Sequence, residues 1–239
     1  MRIGVIQTGR VRGELAERYG EYPPMFEALV GPAAPEFAFE AVGLVDGAPL
    51  PAPDACDGWM ITGSRYGVYD DVDWIAPFKA WLREARGAGK PIVGVCFGHQ
   101  IMAEAFGGRA EKHDGGWRVG AHRFDVTPVD WTGDVGPVTL HSIHQDQVTA
   151  LPADASVWAT TPGCAIAGAL YGDPAAPDAI SLQPHPEFSP EFAGALIEHL
   201  RDQGRVAHDL TEAALASIRG DADNARVGRW FADFFRARR

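Results

Sequence analysis

Cys96 lies in the string Pro-Ile-Val-Gly-Val-Cys-Phe-Gly-His-Gln, between Gly94 and Gly98. An apolar run precedes it and a helical pattern (Ile101, Met102, Ala105) follows. Two glycines so spaced permit a sharp strand-to-helix turn that projects a strained central side chain beyond a sheet edge. The helix N-terminus behind such a turn offers unpaired N–H groups and partial positive charge, conditions that favour a thiolate over a thiol. The N–H of Phe97 is then placed to bind the oxyanion formed when sulfur attacks a carbonyl. The competing reading is a buried structural cysteine in a glycine-rich turn; the strand before and the helix after weigh against it.

A sulfur nucleophile needs a partner that carries the proton to the leaving group. The candidate is His185 in Gln-Pro-His-Pro-Glu-Phe at 183–188. Pro184 and Pro186 push this stretch towards an extended conformation. In an extended chain residues two apart project to the same side, so Glu187 can lie beside the imidazole and hold one tautomer. Strands of an open parallel sheet end at one edge, which brings Cys96 and His185 to one crevice despite their separation in sequence.

The other candidates carry less chemistry. His99, three residues past Cys96, reads as a structural hydrogen-bonder. His113, His122, His141 and His144 show no ligand spacing of the kinds that hold zinc, so no metal is expected. Cys56 and Cys164 lack such a turn and read as inert. Three cysteines cannot all pair, and the N-terminus lacks the apolar stretch of a signal peptide. A reducing compartment follows, most simply the cytoplasm. The net charge of −11 argues against nucleic acid as partner, and no apolar run is long enough to span a bilayer. The basic residues among 236–239 read as a solvated helix end.

The elements that must position these groups alternate through the first half. Strands are expected at 3–7, 37–45, 57–62 and 91–95, with helices from 24–30 and over 74–86. The run at 91–95 lacks polar alternation, as a strand buried on both faces does. The order implies an open, doubly wound α/β sheet, mostly parallel and flanked by helices. The second half is richer in strands, at 119–127, 138–141, 156–160, 165–171 and 179–183. Helices are expected at 192–200, within 204–220, and at 222–235. No linker or repeat divides the chain, so 1–239 reads as a single domain with 204–239 a helical extension. Trp131 and Trp158 read as either core or interface, whereas the aromatic group at 230–235, at helical spacing, reads as core in preference to interface.

Gly-Val-Cys-Phe-Gly-His-Gln at 94–100, with His185-Pro186-Glu187 past the last strand, resembles the class I glutamine amidotransferases. The resemblance extends over most of the chain, through the Ile61-Thr62-Gly63-Ser64 turn and Ser-Ile-His-Gln-Asp-Gln-Val at 142–148. It is strongest to the stand-alone branch related to the amidotransferase domain of GMP synthase and to plant γ-glutamyl peptidases. The resemblance implies a flavodoxin-like fold and a Cys96-His185-Glu187 triad that opens a γ-amide through a γ-glutamyl thioester, without a cofactor. It implies an oxyanion site from the backbone of Gly63 and Phe97. Gln100 and the turn at His144, Gln145 and Asp146 would hold the glutamyl head group, with Arg65 a further candidate for its α-carboxylate. Two departures bear on the acceptor: Phe97 stands where GMP synthases often have Tyr, and Gly63-Ser64-Arg65 where they have Gly-Gly-Pro. About fifty residues follow Glu187, too few for a synthase domain of ordinary size. The expectation is therefore a free-standing γ-glutamyl hydrolase or peptidase, or a glutaminase, acting on a small γ-glutamyl amide. The alternatives are a subunit feeding ammonia to a separate synthetase, and a non-catalytic relative.

Overall fold

The structure is a computed structural model describing residues 1–133, 136–220 and 222–238. Its centre is a run of short parallel strands: β1 (Arg2–Ile6), β2 (Ala38–Val42), β3 (Gly58–Ile61), β4 (Ile92–Val95) and β11 (Ala176–Leu182), in the order β2-β1-β3-β4-β11. Every residue of β3 and β4 is buried, which is why both read as uninterrupted apolar runs. Past β11 the sheet continues through antiparallel strands β10 (Cys164–Asp173), β9 (Ala155–Thr161), β6 (Arg118–Val126) and β7 (Val138–His144). The expected doubly wound core is present, and the strand-rich second half extends the same sheet.

Alternate strand residues face opposite layers. Ile3, Val5, Val93, Val95 and Ile180 pack under α2 (Tyr22–Val30) and α7 (Asn224–Ala237). Ile6, Trp59, Ile61 and Ile92 pack under α3 (Ile75–Gly87) and α4 (Phe97–Ala105). A third cluster lies where α5 (Pro190–Asp202) and α6 (His208–Ser217) cover the antiparallel end, joining Phe192, Ile197, Leu200 and Ala214 to Val119 and Ile143. Trp230, Phe231, Phe234 and Phe235 are buried in the first cluster with Trp158, so the C-terminal aromatics are core; Trp131 packs against them, half-buried. Arg236 pairs with Glu36 at 2.8 Å, while Arg239 lies outside the described residues.

Three features differ from the expectations of the sequence. Helix α1 (Glu14–Tyr19) is additional; it is under two turns long and lays only Leu15, Ala16 and Tyr19, half-buried, on the third cluster, too short a stripe to read. Strand β7 runs on to His144 and β8 (Asp146–Ala150) begins two residues later. The turn expected at 144–146 is the bend at Gln145 between these two strands, which run right up to it. The second strand pairs with β5 (Arg109–Lys112) in a separate two-stranded sheet, supplied by residues far along the chain.

Candidate active site

Cys96 is the single non-glycine residue with positive φ among the described residues, at φ 55° and ψ −104°. It caps α4 at the C-terminal end of β4. Its own N–H is held by Leu182 O at 2.8 Å, and its carbonyl accepts the Gln100 N–H at 3.1 Å. The two flanking glycines are there because the turn closes on itself. A Cβ on Gly94 would lie 2.4 Å from Met102 Sδ, and one on Gly98 would lie 2.6 Å from Ile61 O. A strained conformation of this kind costs on the order of 1–3 kcal/mol and persists only where the surroundings enforce it.

His185 and Glu187 follow β11 on an extended stretch, as the flanking prolines require. The His185 backbone N–H donates to His141 O at 2.7 Å, joining the loop to β7. Its ring Nδ1 donates to Glu187 Oε1 at 2.7 Å and its plane stacks on Phe188 with centroids 4.0 Å apart. The other ring nitrogen is left free of Glu187, and both His185 and Cys96 border the space in front of Gly63. Burial disfavours the imidazolium, but the Glu187 carboxylate and the Cys96 sulfur outweigh it and raise His185 to about 10. Both neighbours favour the imidazolium over the neutral ring. The Glu187 side chain is wholly buried behind the ring, outside the cleft into which Cys96 and His185 open. Phe188 O is held in turn by Asn224 Nδ2 at 2.7 Å and by His141 Nδ1 at 3.2 Å. The C-terminal helix thus braces the histidine loop.

The cleft has a volume of about 280 Å³. Gly63 faces both reactive residues: a Cβ there would lie 3.0 Å from His185 Cε1 and 3.7 Å from Cys96 Cβ. Its loop is tied to the end of β1, where Thr8 Oγ1 donates to Thr62 O at 2.9 Å and Ser64 Oγ to Thr8 O at 2.7 Å. Phe97 is fully buried and contributes only backbone, its N–H lying at the first position of α4 beyond the helical ladder. Gln100 commits both amide hydrogens to the protein, at 3.0 Å to Asp146 O and 3.1 Å to Gln183 Oε1, so its oxygen remains for a ligand. His144 Nδ1 donates to the same Asp146 carbonyl at 3.1 Å, and burial lowers the ring to about 3, leaving it uncharged. The Asp146 carboxylate, raised by burial, accepts the Tyr69 hydroxyl at 2.9 Å. Arg65 reaches the rim, its guanidinium 4.7 Å from the Tyr66 ring.

Arg65, Gly63, Gln100, His144, Gln145 and Asp146 therefore all border one cleft with Cys96 and His185. Also lining it are Tyr22, Tyr69, Lys112, Trp117, Phe188 and Arg205, which no motif marked. Gln183, buried beneath the cleft, was likewise given no role by the sequence; its place two residues before the histidine was the available signal. His99, His122 and His113 make hydrogen bonds away from the cleft. His99 is buried between Ser181 Oγ at 2.7 Å and Ile166 O at 3.1 Å, and burial lowers it to about 4. His122 accepts burial with a bond to Val119 O, and His113 Nδ1 accepts from Gly115 N. Among the described residues no three His, Cys, Asp or Glu side chains converge as a metal site would require. Burial pushes the Cys56 and Cys164 thiols up, Cys164 to about 11, so neither offers a thiolate. No helix among the described residues is long and apolar enough to cross a membrane.

Comparison with known proteins bears on the family and the fold. Gamma-glutamyl peptidase 4 of Arabidopsis thaliana is 26% identical over 86% of this chain and 83% of its own length. A GMP synthase of Cupriavidus pinatubonensis is 32% identical over 46% of this chain and 21% of its own. Among solved structures, a glutamine amidotransferase of Thermotoga maritima superposes with a TM-score of 0.74 at 16% identity, covering 99% of this chain and 97% of that one. One from Methylobacillus flagellatus also gives 0.74, at 20% identity, over 99% and 93%. At such identities the superpositions speak for the shared fold. A model of the glutamine amidotransferase class-I family matches residues 54–200, which contain both Cys96 and His185-Pro186-Glu187, and the chain belongs to that family.

Proposed function

We propose that this protein hydrolyses a glutamine-type γ-amide through a γ-glutamyl thioester on Cys96, as a free-standing γ-glutamyl hydrolase or peptidase. The observation that carries the reading is the meeting, in one cleft, of a Glu187-paired His185 and a strained Cys96 at a helix N-terminus. The likeness to a gamma-glutamyl peptidase over most of both chains supports it.

The Cys96 sulfur attacks the δ-carbon of the substrate, and the carbonyl oxygen takes the negative charge between the N–H groups of Gly63 and Phe97. As the C–N bond breaks, His185 gives its proton to the departing nitrogen. Water then attacks the thioester, returning one proton to His185, and the C–S bond breaks to release glutamate. One amide and one water become one glutamate and one amine, and the enzyme is restored. Glu187 holds the ring and stabilises its charge throughout. We read the chain as one catalytic domain, since α7 fills the core under the same sheet that carries Cys96.

The test is intact-mass analysis after exposure to a glutamine-like diazoketone, together with release of glutamate from a panel of γ-glutamyl amides. One adduct, lost in Cys96→Ala, and turnover of at least one amide are expected; no adduct and no turnover would overturn the reading. The likeness to a segment of GMP synthase favours a second reading, an ammonia-supplying subunit. That reading requires activity that rises when an ATP-dependent partner co-purifies.

A further inference from the structure

The lining of the cleft falls into two chemically different groups, and His185 stacks on a member of one of them, Phe188. One comprises Arg65, Tyr69, Gln100, Lys112 and Asp146, with charges of both signs that suit a head group bearing an amine and a carboxylate. The other is an apolar wall of Trp117, Ile143, Phe188, Leu196 and Leu200. These side chains belong to the third core cluster or pack against it, so the wall is held by the packing of α5 on β6 and β7. At its edge Arg205 places its guanidinium 5.0 Å from the Trp117 ring centroid. Arg205 has no ion-pair partner among the described residues and is the one charged side chain on that wall.

The direction of departure follows from the proton. His185 protonates the leaving nitrogen, so the amine leaves on the histidine's side, and the Phe188 ring stacked on His185 begins the apolar wall. Ammonia is one heavy atom and has no use for such a wall. We propose that the apolar wall is the subsite for the leaving amine, and that it takes an amine with a flat apolar body and a carboxylate: the substrate class is a γ-glutamyl aromatic amino acid. The ring lies against Leu196, backed by Leu200 and Ile143. The carboxylate meets Arg205, whose fork is pre-oriented by stacking on Trp117. This rests on the γ-glutamyl hydrolase reading and extends it to the leaving group.

The experiment compares kcat/KM for glutamine, γ-glutamylalanine, γ-glutamylphenylalanine and γ-glutamylphenethylamide, which keeps the ring and lacks the carboxylate. γ-Glutamylphenylalanine should exceed γ-glutamylalanine by about 10- to 100-fold, the worth of burying an aromatic side chain. It should exceed the phenethylamide by roughly tenfold, the worth of one charge-assisted contact. In Arg205→Ala that second ratio should collapse towards one, and in Arg205→Lys it should be partly kept. Thermal melts of both variants separate a lost contact from a lost fold. Glutamine hydrolysed as well as γ-glutamylphenylalanine, or a second ratio unmoved by Arg205→Ala, overturns the subsite and leaves the hydrolase reading standing. Failure of all four compounds together with failure of the diazoketone to label Cys96 removes both.

Discussion

The parallel and antiparallel halves of the sheet hold their shares of the cleft by different means. In the parallel half the reactive geometry is made by backbone. Cys96 is forced to positive φ by a turn in which Gly94 and Gly98 meet Met102 and the carbonyl of Ile61 with no room for a methyl group. In the antiparallel half the groups are held by long-range pairing. His144 ends β7 of that half and Asp146 opens β8 of the adjoining two-stranded sheet, held by β5, by Gln100 and by the hydroxyl of the exposed Tyr69. Close steric enforcement makes the reactive end intolerant of change, whereas the rim is held by several weaker contacts, each replaceable at modest cost.

Substitutions can sharpen or break that contrast. The largest effect is expected for Cys96→Ala, a fall of about 10⁴- to 10⁶-fold in kcat with the fold retained, read by steady-state kinetics and circular dichroism. Turnover near wild type would end the claim that the parallel half carries the chemistry. Glu187→Gln should follow, with kcat down by roughly 10²- to 10⁴-fold, because the imidazolium loses its counter-charge. It also has a pH signature. His185 is raised above its ordinary value, so its contribution to stability is complete below about 6.5 and is lost as pH rises through about 10. The alkaline limb of activity belongs to the same proton. In Glu187→Gln that limb should move to lower pH, and the alkaline decline in urea-unfolding stability should flatten. An unmoved limb would show that Glu187 does not set the charge of His185.

Gly98→Ala probes the steric side alone. A methyl group 2.6 Å from Ile61 O must displace backbone, and a loss of about 2–4 kcal/mol is expected in urea melts. A loss under about 0.5 kcal/mol would mean that the turn is not sterically enforced. Tyr69→Phe should do least. Tyr69 is 55% exposed and its bond to Asp146 is open to water, so KM should rise by less than about tenfold with kcat held. A collapse of kcat there would erase the distinction between the two halves.

Local chemistry explains which features were legible along the chain. The two glycines around Cys96 and the two prolines around His185 restrict their own backbones, so those conformations are written within a few residues of the reactive groups. Wholly apolar runs such as 92–95 announce strands buried on both faces, and the aromatic spacing at 230–235 announces a core helix. Helix α1 and the pairing of β5 with β8 escaped because the first is under two turns long with a stripe of only three half-buried residues and the second joins segments about forty residues apart.

The amino-acid sequence alone determined the proposed nucleophile, its base and the carboxylate that holds the base, since each depends on neighbours within two residues. Only the tertiary structure decided what surrounds them. Trp117, Phe188, Leu196 and Arg205 come from separate loops and a helix, and they form one wall because α5 packs on β6 and β7. No spacing along the chain records that convergence. The physical reason is that the turn at Cys96 is set by backbone sterics, which act locally, while the wall is set by burial of apolar surface, which acts wherever the fold brings side chains together.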